Sequence, residues 1–178
     1  ETSFAININH PPFDDIRVRQ AMQMALDLKT MNEAYFQGFG EWVPMGLIGP
    51  SWKKANNPFE TWPEEVKKTY SYDPEGAKKL LAEAGYPNGF KTVLHNNQVR
   101  WDTGYRELAA GYWAKIGVEV EINTIDNTQY ANLIRPTREK SAEGLIDFVS
   151  IGVDYGDLNM LMLGTSKGTY NPGAVVDP

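Results

Sequence analysis

Few residues in this chain sit at spacings that support catalysis. Ser51-Trp-Lys-Lys54 has the S-x-x-K spacing of acyl-serine enzymes. Its companions S-D-N and K-T-G are missing, and Lys167-Gly-Thr169 runs in the wrong order. A four-residue match of this kind is expected by chance. Gly38-Phe-Gly40 lacks the third glycine of a dinucleotide loop and is not placed between a strand and a helix. His10 and His95 are far apart and neither belongs to an H-E-x-x-H pattern, so no zinc centre is expected. Asp154-Tyr-Gly-Asp157-Leu-Asn159 is rich in oxygen ligands but lacks the spacing and closing Glu of a calcium loop. The neighbouring acids Asp14/Asp15, Glu64/Glu65 and Glu119/Glu121 read as caps or solvated faces. Paired acid–base work needs carboxyls that converge across a cleft. These patterns predict no enzyme, no metal and no cofactor.

One carboxylate is placed differently. Asp154 follows an apolar run, Leu145–Ile151, and is flanked by Gly152, Tyr155 and Gly156. A carboxylate just past a strand end can face a cleft and meet a cation. The same residues also suit a turn in which Asp caps the backbone. The residues alone leave both readings open.

Composition narrows the partners. The 178 residues are 42% hydrophobic and 22% charged, enough for one domain with its own core. The net charge is −6, and no basic stripe offers a nucleic-acid footprint. Cysteine is absent, which removes disulfides and thiolate chemistry; this fits a secreted or periplasmic protein, and many cytosolic proteins share it. No apolar run reaches the ~20 residues of a membrane span. The chain has five Trp and nine Tyr, and such side chains either fill cores or line ligand grooves. Trp42, Trp52 and Trp101 fall in loops or at a helix start, where aromatics are less easily explained as core.

The elements that must hold these groups follow from periodicity. Residues 3–9 alternate as a strand, then Pro11-Pro12 breaks the chain. Asp14 or Asp15 caps a helix whose buried face is Val18, Ala21, Met22, Ala25 and Leu26. A short helix is expected over Met31–Gln37, ending at Gly38. Residues 38–63 are broken by Gly, Pro and Trp and read as a long functional loop or a surface crossover. Asp73-Pro74 opens a helix with apolar positions Ala77, Leu80, Leu81 and Ala84 and a stop at Gly85. A strand over 90–95, a helix over 103–116 and a strand over 118–124 form a βαβ unit, which predicts a parallel pair. A short helix over 128–134 and a strand over 145–151 complete the chain. The fold class expected is α/β, a mixed sheet flanked by helices.

Four blocks then carry a resemblance. They are Pro12-Phe-Asp-Asp-Ile-Arg-Val-Arg-Gln-Ala21 with Ala25-Leu-Asp27; Tyr72–Phe90; Leu108–Ile122; and Asp147-Phe-Val-Ser-Ile-Gly-Val-Asp-Tyr-Gly-Asp157. In this order they resemble the solute-binding proteins of peptide-type ABC importers, family 5, the dipeptide/oligopeptide-binding group. The resemblance implies one lobe of a two-lobed periplasmic-binding-protein-like fold. It places residues 1–178 as a single domain, the second (C-terminal) lobe, excised from a longer chain. The abrupt start at Glu1 and the turn-like end at Pro178 agree with that expectation.

The function implied is extracytoplasmic capture of an oligopeptide or dipeptide by lobe closure. ABC permease subunits are the implied membrane partners, and the location is periplasmic or extracellular, with a lipoprotein anchor as one form. Asp154 matches the family's Asp that pairs with a peptide α-amino group, with Tyr155 beside it. Trp42, Trp52 and Trp101 are the further ligand contacts expected. Arg17 and Arg19 also match the first block and are expected to serve the scaffold. Two departures bear on the solute: Ile151 stands where peptide binders often carry Trp, and Gly156 replaces the usual Pro. An oligosaccharide, a nickel complex or another solute is the alternative ligand, and a sensor the alternative role.

Overall fold

The computed structural model describes residues 2–8, 10–40, 42, 57–98, 104–134 and 145–149. Their order is β1 (Thr2–Ile6), α1 (Ile16–Met24), α2 (Leu28–Phe36), a 3-10 turn (Phe59–Thr61), α3 (Glu64–Lys68), α4 (Pro74–Glu83), β2 (Phe90–Asn97), α5 (Gly104–Ala114), β3 (Val118–Ile125), α6 (Asn127–Ile134) and β4 (Leu145–Val149). The expected strand–helix–strand unit is β2–α5–β3. Its strands pair in parallel from Phe90 opposite Val118 to Asn97 opposite Ile125.

The four strands lie in the order β1-β4-β2-β3. β4 runs parallel to β2 and antiparallel to β1, with Thr2 opposite Val149 and Ile6 opposite Leu145. The sheet is therefore mixed, and its last strand in sequence is inserted between the first and the second. Three strands, β2, β3 and β4, end at the same edge.

Alternation along the strands divides two layers. Phe4 and Ile6 of β1, Phe90 and Leu94 of β2, and Val118, Val120 and Ile122 of β3 face one way. They pack with Val18, Ala21 and Met22 of α1, Ala77 and Leu81 of α4, and Ala109, Tyr112 and Trp113 of α5. On the opposite face Ala5 and Ile125 meet Tyr130 and Leu133 of α6. Helices thus cover both faces, as the sequence predicts for an α/β chain.

Local signals place most of the helix ends. Asp15 accepts the Arg17 amide and starts α1. Asp73 accepts the Gly76 amide at 2.8 Å and starts α4, with Pro74 in the first turn. Three expectations shift. α2 begins at Leu28 rather than Met31, because Asp27 caps it through the Thr30 amide at 3.0 Å. Its left-handed end is Gln37, φ 52°, one residue before the glycine. β1 stops at Ile6, short of residue 9. After the long Gly/Pro/Trp stretch, the chain is ordered around three rings. Phe59, Trp62 and Tyr70 meet edge-on at 5.3–6.0 Å, and the Trp62 indole donates to the Asn57 carbonyl at 2.8 Å.

Two glycine turns feed the parallel pair and touch each other. Gly89 (φ 74°) precedes β2 and Gly117 (φ 89°) precedes β3. A Cβ on Gly89 would lie 1.9 Å from the Gly117 carbonyl oxygen. Side chains are excluded here by space as well as by φ. Gly111, midway along α5, is the opposite case, with nothing within 4 Å of its would-be Cβ. Gly89→Ala should therefore destabilise the protein by at least about 2 kcal/mol. Gly111→Ala should stabilise it by up to about 1 kcal/mol through helix propensity. Urea denaturation of the two variants checks both signs; equal effects would mean that the turn-to-turn contact is not a constraint.

Candidate functional site

In an open α/β sheet, ligands are met just beyond the carboxyl ends of parallel strands. Here that edge is built by the ends of β2, β3 and β4. β2 finishes as His95-Asn96-Asn97 and the chain continues through Gln98. The Asn97 carboxamide donates to Asn127 Oδ1 at 2.9 Å, joining β2 to the first residue of α6. The Gln98 amide donates to the Ile125 carbonyl at 2.8 Å, closing the β2–β3 pair one residue past the strand. Asp126, at the end of β3, accepts the Thr128 and Gln129 amides at 2.7 and 3.0 Å. Its charge is thereby committed to the N-terminus of α6.

Asn96 is fully buried, and neither atom of its carboxamide has a hydrogen-bond partner among the described residues. Asn97 is also buried, whereas Gln98, Thr124 and Asn127 are exposed. The described part of the edge thus presents side-chain amides and a hydroxyl. These groups can donate to and accept from an uncharged polar ligand.

The residues predicted from sequence are divided by the structure. Trp42 is described and is 45% exposed, following the exposed Phe36 and the almost fully exposed Phe39. Asp154, Tyr155, Trp52 and Trp101 lie outside the described residues. β4 ends at Val149 on the carboxyl edge, five residues before Asp154 in sequence. The amide cluster was not anticipated. Its one sequence signal is Asn96-Asn97 at the end of a strand, and Asn in that position reads first as a turn residue.

Arg17 and Arg19 are taken up by the scaffold, as expected. The Arg17 guanidinium donates from Nε to both Asp15 oxygens at 3.1 Å and from Nη1 to the Glu83 carbonyl at 2.7 Å, fastening α1 to the end of α4. Arg19 donates to the Phe13 carbonyl at 2.6 Å. Neither histidine joins a metal-like cluster. The His95 ring is 3.3 Å from the Asn123 carboxamide, and the His10 carbonyl accepts the Phe13 and Asp14 amides. Among the described residues no group of three or more His, Cys, Asp or Glu could hold a metal, and no helix is long and apolar enough to cross a membrane.

The Arg17 side chain, followed by its backbone N–H, holds the Asp15 carboxyl down at about 2 against an ordinary 3.8. Because the folded value is depressed, the pair stabilises the protein above pH 3.8, and that contribution is lost as pH falls toward 2. Arg17→Met should bring the Asp15 titration back toward 3.8, as followed by carboxyl-carbon NMR. A titration that stays near 2 in the variant would assign the shift to the helix terminus instead.

Comparison with known proteins agrees with the architecture. The model of the bacterial extracellular solute-binding proteins, family 5 Middle, matches residues 1–178. The chain is 37% identical over 145 residues to heme-binding protein A of Haemophilus influenzae, which covers 79% of the chain and 24% of that protein. It is 30% identical over 131 residues to di/tripeptide-binding protein 1 of Pseudomonas aeruginosa, covering 71% of the chain and 23% of the relative. In three dimensions it is similar to a dipeptide-binding protein from Pseudoalteromonas in complex with Met-Leu. That likeness has a TM-score of 0.75 at 25% identity and covers 99% of the chain and 34% of the solved one. The chain therefore spans about a quarter of the length of these curated relatives.

Proposed function

We propose that this chain, which belongs to the family 5 bacterial extracellular solute-binding proteins, forms one wall of a cleft that captures a small peptide for an ABC importer. The observation that carries the reading is the shared carboxyl edge. β4, the strand that leads in sequence toward Asp154, ends there beside the buried amides of β2. Residues 1–178 are the second lobe, and the other wall comes from elsewhere in the protein.

The chemistry divides between the two kinds of group. Asp154 supplies the negative charge that pairs with the α-ammonium of the peptide, a charge-assisted bond strengthened when the cleft closes. Tyr155 flanks it, and Trp42, Trp52 and Trp101 supply flat apolar area for side chains. Side-chain amides at the strand ends suit the neutral peptide groups between the termini. Binding proceeds without turnover. The work is done by differential affinity for the closed state, which permease subunits recognise. The protein operates outside the cytoplasmic membrane, free in the periplasm or held by a lipid anchor.

A second solute is supported by one specific observation. The relative with the higher identity of the two, at 37%, is named for heme rather than peptide. The departures at Ile151 and Gly156 fall beside Asp154 and leave room for such a change.

Native mass spectrometry of the gently purified intact protein, followed by denaturation, identifies what it carries. A ladder of short peptide masses is the expected result. Asp154→Ala should then weaken peptide affinity at least tenfold, equivalent to about 1.4 kcal/mol or more. N-acetylated peptides should lose the same factor against the unaltered protein. A heme mass would replace the peptide reading, and hydrolysis of a bound peptide abolished by one carboxylate change would overturn the binding-protein reading altogether.

A further inference from the structure

Large aromatic side chains are left exposed where α2 ends. Phe36 and Trp42 are exposed, and Phe39 is 91% exposed. A single exposed ring needs no explanation, whereas rings gathered in one place mark a surface that something covers. Phe36 and Phe39 are gathered by the backbone. The Phe39 amide donates to the Phe36 carbonyl at 2.9 Å, so the chain turns back directly after the helix. Gly40 then lies against α2, where a Cβ would fall 2.5 Å from Asn32 Oδ1 and 3.6 Å from Phe36 Cβ. Trp42 follows two residues later.

The fold puts this group beside the carboxyl edge. α5 leaves β2 beyond Asn97 and returns the chain to Val118, which pairs with Phe90 at the start of β2. The first turn of α5 therefore sits at the carboxyl ends of the strands. Tyr35, next to Phe36, is packed on that turn. Its ring is 5.9 Å from the Tyr105 ring, and a Cβ on Gly104 would lie 2.6 Å from Tyr35 Cε2. The absence of a side chain at Gly104 is what lets α2 approach so closely. At the same edge Asn96 is fully buried, its carboxamide unpartnered among the described residues. Apolar surface beside a few fixed polar groups is the usual make-up of a small-molecule site. Residues 34–40 carry no charged side chain, so what this surface takes is apolar rather than ionic.

We propose that Phe36, Phe39 and Trp42 form an apolar subsite for a bulky aliphatic or aromatic side chain of the bound peptide. The inference rests on the peptide reading given above and narrows it to peptides that carry a large apolar residue. Tyr35 against Gly104 is the contact that holds the subsite at the cleft.

Isothermal titration of the intact protein with Ala-Ala-Ala, Phe-Ala-Ala, Ala-Phe-Ala and Ala-Ala-Phe tests it. At least one phenylalanine peptide should bind about tenfold or more tighter than trialanine, as burial of one ring predicts. In Phe39→Ser that preference should fall to within about threefold of parity, a shift in the ratio of affinities. Phe36→Ala should shift the ratio in the same direction, which keeps the test open should one variant fail to fold. A preference that survives both changes overturns the subsite, as does equal binding of all four peptides to the unaltered protein. An equal loss for all four in the variants would mean that the rings seal one wall of the cleft against the other, and also overturns it. Failure of every peptide to bind the unaltered protein overturns the peptide reading itself and the subsite with it.

Discussion

The Trp113 indole N–H donates to the Met22 carbonyl at 2.9 Å in the interior, between residues 91 apart in sequence. The architecture on the α5 face depends on this bond. Trp113 lies on α5, Met22 on α1, and the indole meets the Phe4 ring of β1 edge-on at 5.2 Å. One side chain thus fixes two helices over the sheet. α1 in turn carries α4, through Arg17 to the Glu83 carbonyl and through the Asp73 amide to the Met24 carbonyl at 2.9 Å. A buried indole must find an acceptor, and the one it finds ties the last turn of α5 to α1.

Much of this was legible in the sequence, and the reasons for the rest are physical. Asp73-Pro74, Gly85 and Gly117 are local devices that act within a few residues of themselves, so the elements they bound fall where expected. The start of α2 was misplaced because Asp27 serves two neighbours. It ends the apolar stripe of α1 and also takes the Thr30 amide. The five-residue α3 has no periodicity to read, and it is ordered next to rings contributed by Phe59, Trp62 and Tyr70. Strand order has no local signal. The pairing of β1 with β4 joins the two ends of the described chain, and only the parallel β2–β3 pair has a local signature. For the same reason the amides of the carboxyl edge could not be singled out, since they converge through topology rather than spacing.

The distribution of charge follows from the helix ends. Asp15, Asp27, Asp73 and Asp126 each accept backbone amides at a helix start. Glu64, Glu75 and Glu119 meet Lys67, Lys78 and Lys91 in exposed pairs. The chain is acidic overall, yet its described acids largely serve the scaffold or the solvent-facing surface. The described part of the carboxyl edge is correspondingly dominated by neutral donors and acceptors. A ligand lying along it would be read by hydrogen-bond direction, and its formal charges would be met by groups brought in from the flanks.

The insertion of β4 between β1 and β2 also bears on how the chain assembles. β2, α5 and β3 are contiguous and can close their parallel pair early. β1 has β4 as its hydrogen-bonded neighbour in the sheet, and the ladder runs from Thr2 opposite Val149. Within these residues β1 therefore waits for the last of the four described strands before its pairing is complete. Contacts of such sequence separation slow folding and leave a strand edge open meanwhile. For a protein of a family that works beyond the membrane, that delay is an asset, because a chain that cannot finish its sheet remains threadable until it has crossed.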